Sequence, residues 1–495
     1  MRGILASVLA ISLLAGCSLP GLGGKDDTSN TPQTLKVLYY DEQSFYQEYG
    51  MLYSALNPNV DIEVISTNNI YDYSNPDQEK TYEEAYAEFV EEQKPDVIIT
   101  DSYSMPSLLK ADAFYDLDAF VNQESYDLQG LGTAVVDYMK ELGNGILYGI
   151  PTSVQSQVIY YNKDVFDENG VPHPTDNMTW SEIITLANMF PTDGEYPDRV
   201  YGLRYGYTSS LADVVMQMAN AEGLKNFDEE TLTMTIDTPA WKQLVEQAAQ
   251  LYNSGALYND QLRWEYTPDD YTNYDHYALE PLLNGIVAMS YESSYYLQEI
   301  KYAKQYAQNP ENLTDNWDIV SAPVGSGGNN QSSGTYYNGI MTIYKNSTNV
   351  ETAWDFVSYV TGDEYARVKS FSNYGNLPIR KKYALQDSDK NVEAFFATKP
   401  IIDSSVSYDY SKIPQRFSNE FYSVQYEEFQ KLQDGTATVD EVLAALQLRG
   451  NELLATGVMS QEELDEYYND FYSNNNMNFM GGGVIVEETV EEVLE

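Results

Sequence analysis

The chain has 495 residues, with 27 basic and 76 acidic side chains and a net charge of −49. That length exceeds one ordinary hydrophobic core and calls for two or more compact units, which 43% hydrophobic residues can fill. The charge excludes nucleic acid and basic-patch lipid recognition, both of which need a cationic footprint, and a single cysteine excludes an internal disulfide.

At the N-terminus Arg2 precedes an apolar run, 4–14, too short to span a bilayer as a helix. Leu14, Ala15 and Gly16 then lead into Cys17. This resembles a bacterial lipoprotein signal. The resemblance implies that Cys17 is lipidated and anchors the chain to the outer face of the cell membrane. Residues 18–34 are rich in Gly, Ser, Pro, Asn and Thr and read as a tether.

The folded part then begins. Residues 35–39 form a β-prone run, and Phe45, Tyr49, Leu52, Tyr53 and Leu56 recur as one helix face ended by Asn57-Pro58. Residues 60–65 alternate as a strand, Tyr82, Ala85, Phe89 and Val90 mark a second helix, and 97–99 is a compact apolar strand. Strand, helix, strand, helix, strand predicts a parallel sheet with helical crossovers. Residues 146–161 carry two strand-like runs split by Pro151, and Thr179-Trp180-Ser181-Glu182 has the form of a capping box. A helix is expected over 241–251, closed by Gly255, and strands over 319–324 and 340–344 around a glycine-rich loop. A continuous helix is expected over 350–365 and a last one within 436–454. Residues 268–277 read as a polar, aromatic surface insertion, and Asp269, Asp270 and Asp275 lack the order of an EF-hand loop.

The order of these motifs resembles the extracellular solute-binding proteins of the sugar-binding family that includes maltose-binding protein. It is carried by Lys94-Pro95-Asp96-Val97-Ile98, the segment 108–117, and Tyr148-Gly149-Ile150-Pro151 running into Tyr160-Tyr161-Asn162-Lys163-Asp164. Thr179-Trp180-Ser181-Glu182, the run 285–289, Ala322-Pro323 and Asn376-Leu377-Pro378 follow in order. The resemblance covers about 35–455.

It implies an α/β, two-lobed periplasmic-binding-protein-like fold, each lobe a mostly parallel sheet flanked by helices, joined by hinge strands. The lobes would comprise 35–152 plus 323–376 and 153–322 plus 377–455, leaving 456–495 as an acidic tail. It implies capture of a solute between the lobes for the permease of an ABC importer, by a monomer, with no cofactor, no metal and no catalysis.

A sugar presents hydroxyls at its rim and C–H faces, so its site needs aromatic rings and planar polar groups at the carboxyl ends of strands. Tyr40, Asp41 and Glu42 follow the first strand, and Asp101, Ser102 and Tyr103 the third; Asp41 equally suits a helix cap, and Asp101 and Ser102 a turn. By resemblance, Gln155 is a polar contact at the hinge and Tyr295 a stacking ring, with Tyr291 and Glu292 just before it. Tyr336 and Tyr337 lie in the glycine-rich loop, and Phe421 or Tyr422 stands where the family supplies another ring. Arg204 is expected to bridge carboxylates or hold a substrate oxygen. Trp180 reads as packing, and His173 and His276 as solvated loop residues.

Two further readings remain open. In one, the same fold binds a polyamine or other cation through Asp41, Asp101 and Glu292. In the other, the chain is a surface polysaccharide-binding or glycoside-hydrolysing lipoprotein, although no phosphate loop or nucleophile elbow is present.

Overall fold

A computed structural model describes residues 33–68, 70, 82–123, 126–206, 210–260, 262, 275, 277, 279–328, 330–372, 375–385, 389–401, 413–459, 463 and 467. Cys17, His276, Asp269, Asp270 and most of the segment read as an acidic tail lie outside the described residues.

The first sheet is built from β1 (Gln33–Tyr39), β2 (Val60–Ser66), β3 (Val97–Thr100), β4 (Gly149–Ile150) and β13 (Ile340–Ile343), in the order β2-β1-β3-β13-β4. β1 is parallel to β2 and β3, as helical crossovers require, whereas β13 runs antiparallel to β3 and β4. Strand β1 begins at Gln33, inside the segment read as tether. Its Leu35, Val37 and Leu38 are buried, as is all of β3, so both faces are covered at the middle of the sheet.

The second sheet has the order β11-β5-β10-β6-β9, from β5 (Ser153–Asn162), β6 (Tyr201–Tyr205), β9 (Leu257–Tyr258), β10 (Val287–Ser293) and β11 (Trp317–Ser321). β6 is parallel to β9 and β10, and β5 antiparallel to β10 and β11. A short hairpin, β7 (Phe227–Asp228) with β8 (Thr233–Met234), stands apart. The fold is therefore two-lobed α/β, with antiparallel neighbours where the chain passes between the lobes.

Strand β5 joins the lobes. Its first half pairs with β12 (Thr335–Asn338) and β14 (Leu377–Pro378), its second half with β10 and β11. Side chains alternate faces along a strand. Val154, Val158 and Tyr160 enter one hydrophobic cluster and Ile159 and Tyr161 the other.

The crossing segments meet at Thr152. Its N–H donates to Asn338 O and Gly339 O, at 3.2 and 3.1 Å, and its carbonyl accepts from Ile379 N at 2.9 Å. Gly339, between β12 and β13, has φ +58, and a Cβ there would lie 2.3 Å from both Thr152 Oγ1 and the Tyr49 hydroxyl. Only glycine fits that joint.

Several elements differ from expectation. The helix expected to run unbroken from Phe45 to Leu56 contains a π-turn, Tyr46–Gly50, where the rings of Phe45 and Tyr46 crowd Gly50. The helix expected over 350–365 divides into Val350–Val360 and Asp363–Lys369. Thr361 lies between them, and its carbonyl accepts Arg380 Nε at 2.8 Å and the Tyr126 hydroxyl at 3.0 Å. Helices Leu211–Glu222 and Gln415–Gln433 were not distinguished by pattern. The capping box at Thr179 forms, with Thr179 N donating to Glu182 Oε2 at 2.7 Å. His173 is half-exposed, packs edge-on to Tyr161 and Phe166, and lies 3.0 Å from Asp167. Among the described residues no helix is long and apolar enough to cross a membrane.

Candidate ligand-binding cleft

The carboxyl ends of β1 and β3 carry the first predicted group. Asp41 caps the following helix, accepting Ser44 N at 2.8 Å and Ser44 Oγ at 2.7 Å, and these bonds hold its carboxyl below the usual range. Glu42 is an exposed residue of that helix's first turn. Tyr40 is 61% exposed and Tyr103 71% exposed. Asp101 closes a turn, accepting Tyr103 N at 2.9 Å and Ser104 N at 2.8 Å. Ser102 is buried against Tyr337, donating its N–H to Tyr337 O at 3.0 Å and accepting Tyr337 N on Oγ at 3.2 Å. Tyr337 is itself buried, edge-on to Tyr138 at 5.2 Å. This clamp brings the end of β3 to β12 and leaves Tyr336, next along, 45% exposed opposite Gln155 of β5.

Gln155 and Gln157 lie on one face of β5 by strand alternation. Beside them is a cavity of about 230 Å³, lined by Gln155, Gln157, Gln217, Asn220, Ser333, Gly334 and Tyr336. Four of these side chains are carboxamides, and none carries a charge. Gln217 is the hub. Its Nε2 donates to the Tyr291 hydroxyl at 2.8 Å, to Ser333 Oγ at 3.1 Å and to Gln157 Oε1 at 3.3 Å, while Tyr291 donates to Gln157 Oε1 at 2.6 Å. Carboxamides both donate and accept, so this array can match hydroxyls in either sense. Gly334 makes room for it, since a Cβ there would lie 2.1 Å from Gln157 Oε1.

Tyr291 supports the cavity from below. It is buried, stacked on Tyr205 at 5.3 Å and edge-on to Trp180 at 5.0 Å, and burial raises its hydroxyl well above the ordinary tyrosine range. The helix Leu211–Glu222 presents Asp213, Gln217 and Asn220 at helical spacing as a half-buried stripe. Asp213 raises the hydroxyl of Tyr422, and burial first, then Tyr291 and Asp213, raises that of Tyr205.

The remaining predicted residues lie elsewhere. Arg204 is 2% exposed and bridges carboxylates, with Nη1 2.7 Å from Glu292 and Nη2 3.0 Å from Asp260. Glu292 is buried in that pair. Phe421 is buried and stacked on Phe417 at 4.6 Å, whereas its neighbour Tyr422 is exposed. Tyr295 is half-exposed over Gly375, where a Cβ would lie 2.3 Å from its ring. Of the predicted set, Gln155 and Tyr336 line the cavity and Tyr291 supports it. Gln157, Gln217, Asn220 and Ser333 were missed. Gln157 had a signal, its two-residue spacing from Gln155, and Gln217 another, the polar stripe on an otherwise apolar helix.

The family model described as bacterial extracellular solute-binding protein matches residues 29–367. The chain belongs to that family. A chain of Brucella abortus, whose name says no more than that it is a binding protein, is 23% identical over 402 residues, spanning 78% of this chain and 86% of its own. An arabinooligosaccharide-binding protein of Halalkalibacterium halodurans is 26% identical over 249 residues, 48% of each chain. Among solved structures, a family 1 extracellular solute-binding protein of Alicyclobacillus acidocaldarius superposes with a TM-score of 0.56 at 14% identity, covering 86% of this chain and 99% of its own. A sugar transporter of Rhizobium etli in an open conformation gives 0.53 at 20% identity, covering 85% and 99%. These likenesses establish the fold. In this solute-binding protein the uncharged cavity sits beside the antiparallel pair of β5 and β12, against the helix Leu211–Glu222.

Proposed function

We propose that this solute-binding protein captures a neutral sugar or oligosaccharide between its lobes, unaltered, and delivers it to an ABC importer. It acts as a monomer held to the outer face of the membrane by lipid on Cys17. The observation that carries the reading is the lining of the cavity: carboxamides, a serine hydroxyl and a tyrosine in a chain of net charge −49. A polyamine site would need carboxylates at the ligand. The carboxylates offered for that role are engaged otherwise, Asp41 in a cap, Asp101 in a turn and Glu292 with Arg204. The matched relative whose name specifies an arabinooligosaccharide supports the same class.

A thermal-shift screen of neutral monosaccharides, arabino- and malto-oligosaccharides and spermidine tests the ligand. Binding to the native state at a hundredfold excess over Kd adds about 2.7 kcal/mol and raises the midpoint. The reading requires a shift with a neutral saccharide, recovered intact after incubation; a shift with spermidine alone, or cleavage of the saccharide, would refute it. Cys17→Ser should release the protein into the medium.

A further inference from the structure

A buried ionic cluster lies on the reverse face of the strands that support the cavity. In the β6–β10 register Ser290 pairs with Arg204 and Tyr291 with Tyr205. Side chains alternate along both strands, so Arg204 and Glu292 share one face while Tyr205 and Tyr291 share the other. On the first face Arg204 bonds Glu292 at 2.7 Å and Asp260 at 3.0 Å, with its guanidinium 5.8 Å from the centre of the Tyr296 ring. On the second, Tyr205 stacks on Tyr291, which holds Gln157 and Gln217.

We propose that Arg204 and Glu292 are positioning residues for the cavity: their ion pair sets the spacing of β6 and β10, and the charge state of Glu292 is felt by Tyr291 on the opposite face. The consequence for capture rests on the cavity being the solute site; the coupling between faces does not.

The groups around Glu292 come from several elements. Arg204 reaches it from β6 and Asp260 from beyond β9. Ser290 donates from its own strand at 3.3 Å. Glu280, which accepts the Tyr296 hydroxyl, adds a second negative charge, and Tyr160 stands on β5. One guanidinium thus faces three carboxylates. Burial first, then Asp260 and Glu280, push the Glu292 carboxyl up to about 7 against the pull of Arg204. Proton uptake would remove the carboxylate's charge from its ion pair with Arg204, leaving only a weaker bond from the charged guanidinium to a neutral carboxyl, and loosen the strand pair.

Trp180, edge-on to Tyr291 and 6.0 Å from Tyr205, is a built-in reporter on the far face. Its emission, taken as wild type minus Trp180→Phe, should titrate between pH 5 and 9 with a midpoint near 7 in solute-free protein. Glu292→Gln should abolish that transition, and Asp260→Asn, which removes a like charge, should move it to lower pH. A flat wild-type signal, or a transition that survives Glu292→Gln, overturns the proposal. In a second arm, arabinotriose and maltotriose serve as probes. Affinity should fall about fivefold from pH 8 to 5.5 in wild type and be independent of pH in Glu292→Gln. A pH-independent wild-type affinity overturns the coupling. Failure of both probes to bind counts against the saccharide reading, and the Trp180 titration still decides the positioning role.

Discussion

Tyr291 of β10 donates its hydroxyl to Gln157 of β5 across an antiparallel pair, at 2.6 Å, from a fully packed position. A rigid buried ring thereby fixes a carboxamide that lines an open cavity. Rigid support of this kind reduces the ordering cost of binding.

Tyr291→Phe should keep the fold and weaken solute binding. The change leaves Gln157 Oε1 and Gln217 Nε2 without their hydroxyl partner. Loss of one partner of a buried bond costs about 1–3 kcal/mol, so titration calorimetry should show an affinity loss of roughly fivefold or more.

Gly334→Ala tests the close approach at the cavity wall. A Cβ at 2.1 Å from Gln157 Oε1 has to displace that side chain from Tyr291. Binding in calorimetry and the urea midpoint should both fall, because the new Cβ would also lie 2.8 Å from Gln157 Cβ, which the β5 backbone holds in place.

Gly339→Ala tests the joint between the lobes. It combines φ +58 with Cβ contacts at 2.3 Å to Thr152 and Tyr49. Left-handed strain alone costs about 1–3 kcal/mol. Urea unfolding should show at least that loss, and small-angle scattering with solute should show reduced closure.

Stability should fall as pH rises from about 4.5 to about 7, through Glu292. Below both values the carboxyl is protonated folded and unfolded and contributes nothing. Between them the unfolded chain, near the ordinary value of 4.5, has released its proton while the folded chain, near 7, retains it. Raising pH therefore favours unfolding in that window, by up to about 3 kcal/mol, and the penalty is constant above it. Glu292→Gln should remove this component from the pH profile of urea unfolding.

Phe421→Ala should cost about 3–5 kcal/mol in urea unfolding, as a large-to-small change beside the stacked Phe417. Tyr422→Ala, at an exposed position, should change stability by less than about 0.5 kcal/mol.

Local chemistry was readable from the chain alone. The alternation at 60–65, the capping box at Thr179 and the order of the crossing motifs depend on neighbours a few residues apart, and they led to the fold. Cap and turn roles for Asp41 and Asp101 were visible as options for the same reason: the N–H groups they accept lie two or three residues away. The sequence by itself thus determined most of the sheet strands and the capped helices, their α/β alternation, and which strand ends could meet a solute, but not the helices Leu211–Glu222 and Gln415–Gln433. Only the tertiary structure decided which side chains share the cavity. Gln157, Gln217 and Ser333 are far apart along the chain and meet because β5, the helix Leu211–Glu222 and the loop before β12 converge. Whether Arg204 faces a solute or Asp260 and Glu292 likewise depends on strand register. A shift of one residue reverses the face on which every side chain of a strand lies, and composition does not encode that choice.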